Sequence, residues 1–217
     1  MTEKLIAIHG RSRDEIAAMA VAVQANLSQL CVASRKRRGP VPMVVDLDVS
    51  PPGAVKAFRD TLIPRETLRG YSDEALWLRM HEIWGQFCLF CWVFFEGNPR
   101  RPPTFTALAN EQPMRCPGEL AVKQLEIEKF LWRMHHEQRL RGDPDARKDP
   151  AFIEACAEAD RIPAIVYGLN VRVCSDQDLI LGSCEHAGML AAIRWMADRR
   201  WTWAAPGIME LDGQPPP

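Results

Sequence analysis

The residues best suited to chemistry in this 217-residue chain gather at turns. His9-Gly10-Arg11-Ser12-Arg13 joins an apolar run to an amphipathic stretch that opens on Asp14 and Glu15. A strand feeding a helix leaves backbone N–H groups unpaired at the helix start, and those groups attract anions. Gly10 admits a ligand close to the backbone, and Arg11, Ser12 and Arg13 add phosphate donors. Asp46 and Asp48 end the next apolar run, at what would be the same carboxyl edge of a parallel sheet, where such sheets place ligands. Gly10, Arg11, Ser12, Arg13, Asp46 and Asp48 thus form a candidate nucleotide, phosphate or Mg²⁺ site, in which the turn would bind the anion. Neither GxGxxG nor GxxxxGK[ST] occurs in the chain, so no particular cofactor is expected.

Arginine beside tryptophan is the second pattern. Asp198-Arg199-Arg200-Trp201-Thr202-Trp203 closes the last amphipathic stretch, Arg35-Lys36-Arg37-Arg38 closes the first, and Arg100-Arg101 lies in a proline-rich connection. The chain has 21 Arg against 6 Lys, and 7 Trp against 2 Tyr. Guanidinium groups grip phosphates in a planar, two-pronged way and indole faces stack on bases, the combination that single-stranded nucleic-acid sites use. Arg35, Arg37, Arg38, Arg100, Arg101, Arg199, Arg200, Trp201 and Trp203 are therefore the candidate surface for a nucleic acid or a protein partner. The same residues have a structural use, as cations at helix C-termini followed by two indoles that close a core.

Asp46-Leu47-Asp48-Val49 resembles the first motif of the haloacid-dehalogenase-type phosphatases, in which a nucleophilic aspartate is followed two positions on by a second acid. Asp176 and Asp178 would stand for the later acidic pair of that family. The likeness spans four residues, and the intervening Ser/Thr and Lys motifs have no clear counterpart. No catalytic residue is assigned from it, and no resemblance covers enough of the chain to name a family.

Seven cysteines stand at 31, 88, 91, 116, 156, 174 and 184. Cys88-Leu89-Phe90-Cys91 has CxxC spacing, and Cys184-Glu185-His186 offers two further ligand types. Zinc knuckles place CxxC on tight polar turns, whereas this pair lies inside the apolar run from Phe87 to Phe95, where both thiols pack in a core. No metal site is expected. His135-His136 and His81-Glu82 read as surface residues on solvated helix faces. Serine nucleophile context is missing around Ser12, Ser175 and Ser183.

Formal net charge is −1, from 27 basic and 28 acidic residues, which excludes a nucleic-acid binder working by bulk charge. The charge is uneven: residues 1–71 carry 11 basic and 7 acidic groups, and residues 143–217 carry 7 and 12. A composition 47% hydrophobic and 25% charged excludes wholesale disorder. The apolar run before His9 is too short for a signal h-region, and an odd set of thiols fits a reducing compartment, so a cytoplasmic protein is expected. Phe87 to Phe95 is too short to span a bilayer, and no membrane association is expected.

The elements that would position these residues follow from periodicity and caps. Residues 4–9 and 42–48 read as buried strands flanking a helix from about 14 to 34, a βαβ unit with parallel strands. Ser72 caps a helix to about residue 96 whose second half is apolar all round, and Pro117 opens another to about 141. Asp149 caps a short helix ending near residue 160. Residues 164–167, 171–174 and 179–181 read as three strands of an antiparallel meander, and Ser183 caps a last helix to about residue 200. Residues 1–205 are expected to form a single domain, ahead of a mobile proline-rich tail at 206–217. The expectation is a helix-rich α/β or α+β domain with an N-terminal βαβ unit, long buried central helices and a C-terminal meander plus helix. Its expected function is that of a non-catalytic accessory or regulatory binding protein contacting nucleic acid or a protein partner. The alternatives are an enzyme or sensor of phosphorylated small molecules at residues 9–13 and 46–48, and an interaction protein with no ligand.

Overall fold

Local caps start five of the helices. The structure, a computed structural model, describes residues 10–38, 62–94, 114–162, 164–200 and 203. Ser12 accepts from the Glu15 N–H at 3.2 Å while its own N–H donates to the Glu15 carboxylate at 2.7 Å. This reciprocal cap opens α1, Arg13–Arg38. A six-residue helix, α2, runs Arg65–Gly70. The Ser72 hydroxyl accepts from the Ala75 N–H at 3.0 Å and opens α3, Asp73–Phe94. Cys116 and Glu119 cap α4, Pro117–Gly142, with proline in its first turn. After a 3-10 turn, Ala146–Lys148, the Asp149 carboxylate accepts from the Ala151 N–H at 3.0 Å and opens α5, Pro150–Ala159.

Between α5 and the last helix lies a minimal hairpin. Strands β1, Ile165–Val166, and β2, Leu169–Asn170, pair antiparallel with Ile165 opposite Asn170 and Val166 opposite Leu169. Tyr167 and Gly168 form the turn, with φ of 50° and 84°. A two-residue hairpin of this hand requires both central residues at positive φ. Ser175 and Asp178 then cap each other and open α6, Asp176–Ala197.

Helix α3 is the middle of the structure. It packs against both α1 and α6, and α6 packs in turn on α4. The α1 stripe of Ile16, Met19, Val23, Leu27 and Leu30 joins one core with Met80, Ile83, Phe87 and Phe90 of α3 and Leu190, Ile193 and Trp195 of α6. By length and composition α1 could cross a membrane, and 67% of that stretch is buried within the protein.

The α/β or α+β expectation is overturned. Of the described residues 77% are helical, and the only sheet among them is the two-stranded hairpin. Among the described residues no βαβ unit is seen; the strands expected at 4–9 and 42–48 lie outside them. Helix α1, expected to cover a sheet, instead lays its apolar stripe on α3. The three-stranded meander is corrected as well. Residues 171–174 form turns, and 179–181 lie inside α6. A Leu-Ile-Leu run suits a buried helix as well as a strand, and here the cap at Ser175, three residues before Asp178, decides for helix. The cap of the last helix therefore lies eight residues before Ser183. The expected tail at 206–217 also lies outside the described residues.

Candidate functional site

The two candidate surfaces meet at one place. The turn before α1 and the end of α6, distant in sequence, hold each other through their arginines. The Arg11 N–H donates to the Met196 carbonyl at 3.0 Å, and the Arg11 guanidinium donates to the carbonyls of Trp195 and Arg199 at 3.4 and 3.3 Å. That guanidinium also lies 4.6 Å above the Trp195 ring. In return Arg199 donates from Nε to the Gly10 carbonyl at 3.2 Å and from Nη2 to Glu15 at 2.9 Å. Arg11 thus covers the last carbonyls of α6, the role a cation fills at a helix C-terminus.

This clasp leaves little for an anion. The Glu15 carboxylate already occupies the amide of Ser12 that a phosphate would take. Hydrogen bonding from Ser12, against a raising effect of burial, holds Glu15 below the usual carboxylate range, with Arg199 and Arg11 adding to the shift. Arg13 begins α1. Asp46 and Asp48 lie outside the described residues, as do Arg100, Arg101 and Trp201. Arg200 is exposed and grips Asp198 with two nitrogens, at 2.7 to 3.0 Å. Trp203 is half-buried, its ring edge-on to Trp195 at 5.5 Å and 6.4 Å from Phe90, where it closes the core.

The C-terminal end of α1 behaves differently. Arg37 donates to the carbonyls of Tyr71, Leu68 and Arg69 at 2.7, 3.1 and 3.4 Å and approaches Asp73 at 3.5 Å. It pins α2 onto α1. Beside it opens a surface cleft of about 700 Å³, lined by Ser28, Gln29, Val32, Ala33, Lys36, Arg37, Arg65, Leu68 and Arg69. No acid lines it among the described residues. Lys36, Arg65 and Arg69 are exposed and, like Arg35 just outside the cleft, form no ion pair with any described residue. Arg38 ends α1 at the same pole.

A third cluster escaped the sequence reading. His81, on α3, is buried and its Nδ1 lies 2.7 Å from Glu185 Oε1 on α6. The Tyr167 hydroxyl donates to the same oxygen at 2.7 Å. Burial and the Glu185 carboxylate push the Tyr167 phenol up, which keeps it a donor. The carboxylate fixes Nδ1 as the protonated nitrogen of His81 and leaves Nε2 buried with no partner. A non-glycine residue at φ 50° costs on the order of 1 kcal/mol, and the phenol bond to Glu185 offsets it. The arrangement fastens the hairpin to the α3–α6 crossing and leaves no open acid or base. His81 follows Met80 on the apolar stripe of α3, which was the available sign that it faces inward.

The thiols of the CxxC pair sit on α3, Cys91 in the core and Cys88 half-buried, and burial pushes Cys91 up to about 12 and Cys88 higher still. Burial likewise pushes Cys184 up to about 11. His186 points away from them, stacked on Phe130 at 4.1 Å and bonded to the Gly182 carbonyl at 2.8 Å. Among the described residues no group of three or more His, Cys, Asp or Glu side chains is placed to hold a metal ion. His136, read as a surface residue, is buried and meets Cys156. No protein family, curated protein or solved structure matches this chain.

Proposed function

We propose that this protein is a non-catalytic binding protein whose partner is a single-stranded nucleic acid, held by its phosphates at the basic pole where α1 ends against α2. The observation that carries this reading is the cleft itself: Lys36, Arg65 and Arg69 stand around it unpaired by any described acid, over a floor of Val32, Ala33 and Leu68. Cations already paired with carboxylates gain little from a phosphate, while unpaired exposed ones neutralise it and release counterions on binding. Arg35 extends the same pole. By contrast Arg199 and Arg200 are committed to Glu15 and Asp198, and Arg11 to the end of α6. The reading therefore rests on Lys36, Arg65 and Arg69, with Arg35 beside them, and not on the Arg/Trp end of the chain.

Anisotropy of a labelled oligonucleotide, titrated with protein across a range of salt, tests the reading. Three phosphate contacts give a slope of log K against log salt near −2, at about 0.7 per contact for a single strand. Reversing Arg65 and Arg69 together to Glu abolishes binding with an unchanged melt, and Arg200→Ala leaves it intact. Absence of oligonucleotide binding at low salt overturns the reading. A thermal shift with sugar phosphates in that case assigns the cleft to a small anion instead.

A further inference from the structure

One thiol of the seven is paired with a base. Cys156 lies on α5, half-buried, and its Sγ is 3.0 Å from His136 Nε2 on α4. The imidazole is 8% exposed and held by two rings. Phe152, one helical turn before Cys156, stacks on it at 4.3 Å and 16°, and Trp132 lies 5.5 Å away on α4. Arg133, Glu137 and Arg139 of α4 and Asp160 beyond α5 are the charged groups around it. Burial, with Arg133 adding to it, keeps the imidazole pKa low, so at neutral pH it is an unprotonated acceptor facing a thiol.

The other cysteines lack such a partner. Cys31 contacts the Met80 sulfur and Cys174 faces the carbonyls of Val166, Leu169 and Asn170. Cys88, Cys91 and Cys184 are pushed up by burial, and Cys116 is exposed at the cap of α4. A thiol whose proton can pass to a neighbouring imidazole is the general arrangement of an activated sulfur nucleophile.

We propose that Cys156 is an oxidation site, with a small hydroperoxide as its reactant and His136 as its base. The Cys156 proton moves to His136 Nε2, and the thiolate electron pair attacks the terminal peroxide oxygen. An S–O bond forms as the O–O bond breaks, and the departing oxygen takes the proton back from the imidazolium as water or an alcohol. Cysteine is oxidised by two electrons to sulfenic acid, and the peroxide is reduced by two. The half-buried sulfur, beside the packed rings of His136 and Phe152, favours a small uncharged reactant over a bulky disulfide.

The test treats the reduced full chain with hydrogen peroxide in the presence of a sulfenic-acid trap and follows all seven cysteines by peptide mass spectrometry. Cys156 is expected to be trapped at least about tenfold faster than exposed Cys116, a threshold set below the roughly 10²–10⁴-fold that a positioned base supplies. His136→Asn is expected to remove that advantage while the Cys116 rate stays as it was. A folded His136→Asn protein with an unchanged Cys156 rate overturns the proposal. Should the variant not fold, the native comparison decides alone: Cys156 reacting no faster than Cys116 also overturns it.

Discussion

Gly85 meets Glu185 backbone to backbone: a β-carbon on Gly85 would lie 1.8 Å from the Glu185 carbonyl oxygen. The relation is reciprocal, since a β-carbon on Gly188 would lie 2.0 Å from the carbonyl oxygen of Glu82. Each glycine thus sits against the residue three positions before the other. Helices α3 and α6 cross where both lack side chains, and this contact sets the distance at which His81 reaches Glu185 and Tyr167.

Gly85→Ala cannot be absorbed by moving a side chain, because the obstructing atoms are backbone. The variant is expected to lose about 3 kcal/mol or more, read from urea unfolding. A loss below about 1 kcal/mol would mean the helices separate easily. The same substitution at exposed Gly142, which meets nothing within 4 Å, is the control.

Gln86 is 0% exposed on α3, and neither its amide oxygen nor its nitrogen has a hydrogen-bond partner. A buried amide without partners costs about 1–3 kcal/mol relative to a group that asks for none. Gln86→Met is expected to raise the melting temperature, by several degrees. A lowered melt would show that a water or a partner satisfies the amide.

The Arg11–Glu15–Arg199 clasp makes stability depend on acid. The folded pKa of Glu15 lies below its ordinary value near 4.5, so its contribution is complete above that value and is lost as pH falls through the lower, folded one. Glu15→Gln is expected to be less stable than the native chain at pH 7, with the gap closing below about pH 4. Denaturant melts of both proteins across that range measure it. Arg11→Ala is also expected to lower the melt, because it uncovers the Trp195 ring and the last carbonyls of α6.

Arg141 ties the segment between the hairpin and α6 to α4. It donates to the carbonyls of Cys174, Val171 and Arg172 at 2.7, 2.9 and 3.1 Å, to Asp176 at 2.9 Å and to buried Glu137 at 3.1 Å. Arg141→Met is expected to cost about 2–4 kcal/mol and to open residues 167–175 to limited proteolysis. Arg141→Lys should not rescue it, since one ammonium lacks the planar fork that reaches these acceptors. Unchanged proteolysis in either variant would reassign the arginine to the surface.

Much of the helical content was legible in the chain. Ser72, Pro117 and Asp149 each stand at or beside the helix start they marked, and the stripe from Ile16 to Leu30 is the buried face of α1. One signal misleads, and one helix carries none. Ser175 to Asp178 is a capping pair, yet the apolar residues after it fit a strand as well as a helix. Arg65 to Gly70 carries too few apolar positions to show a period, and α2 is held by Arg37 from another helix.

What the sequence by itself determined is therefore local: where helices begin and which of their faces is apolar. Caps and apolar stripes act over three or four residues, so the chain carries them wherever it goes. Which polar groups meet was decided by the tertiary structure alone. Arg11 reaches the carbonyl of Arg199 across 188 residues, and His81 reaches Glu185 across 104. Those meetings depend on where α3 and α6 cross, and that crossing is set by two bare α-carbons. A glycine within a helical stretch reads locally as a weak point; only its opposite number, a hundred residues away, makes it a point of contact.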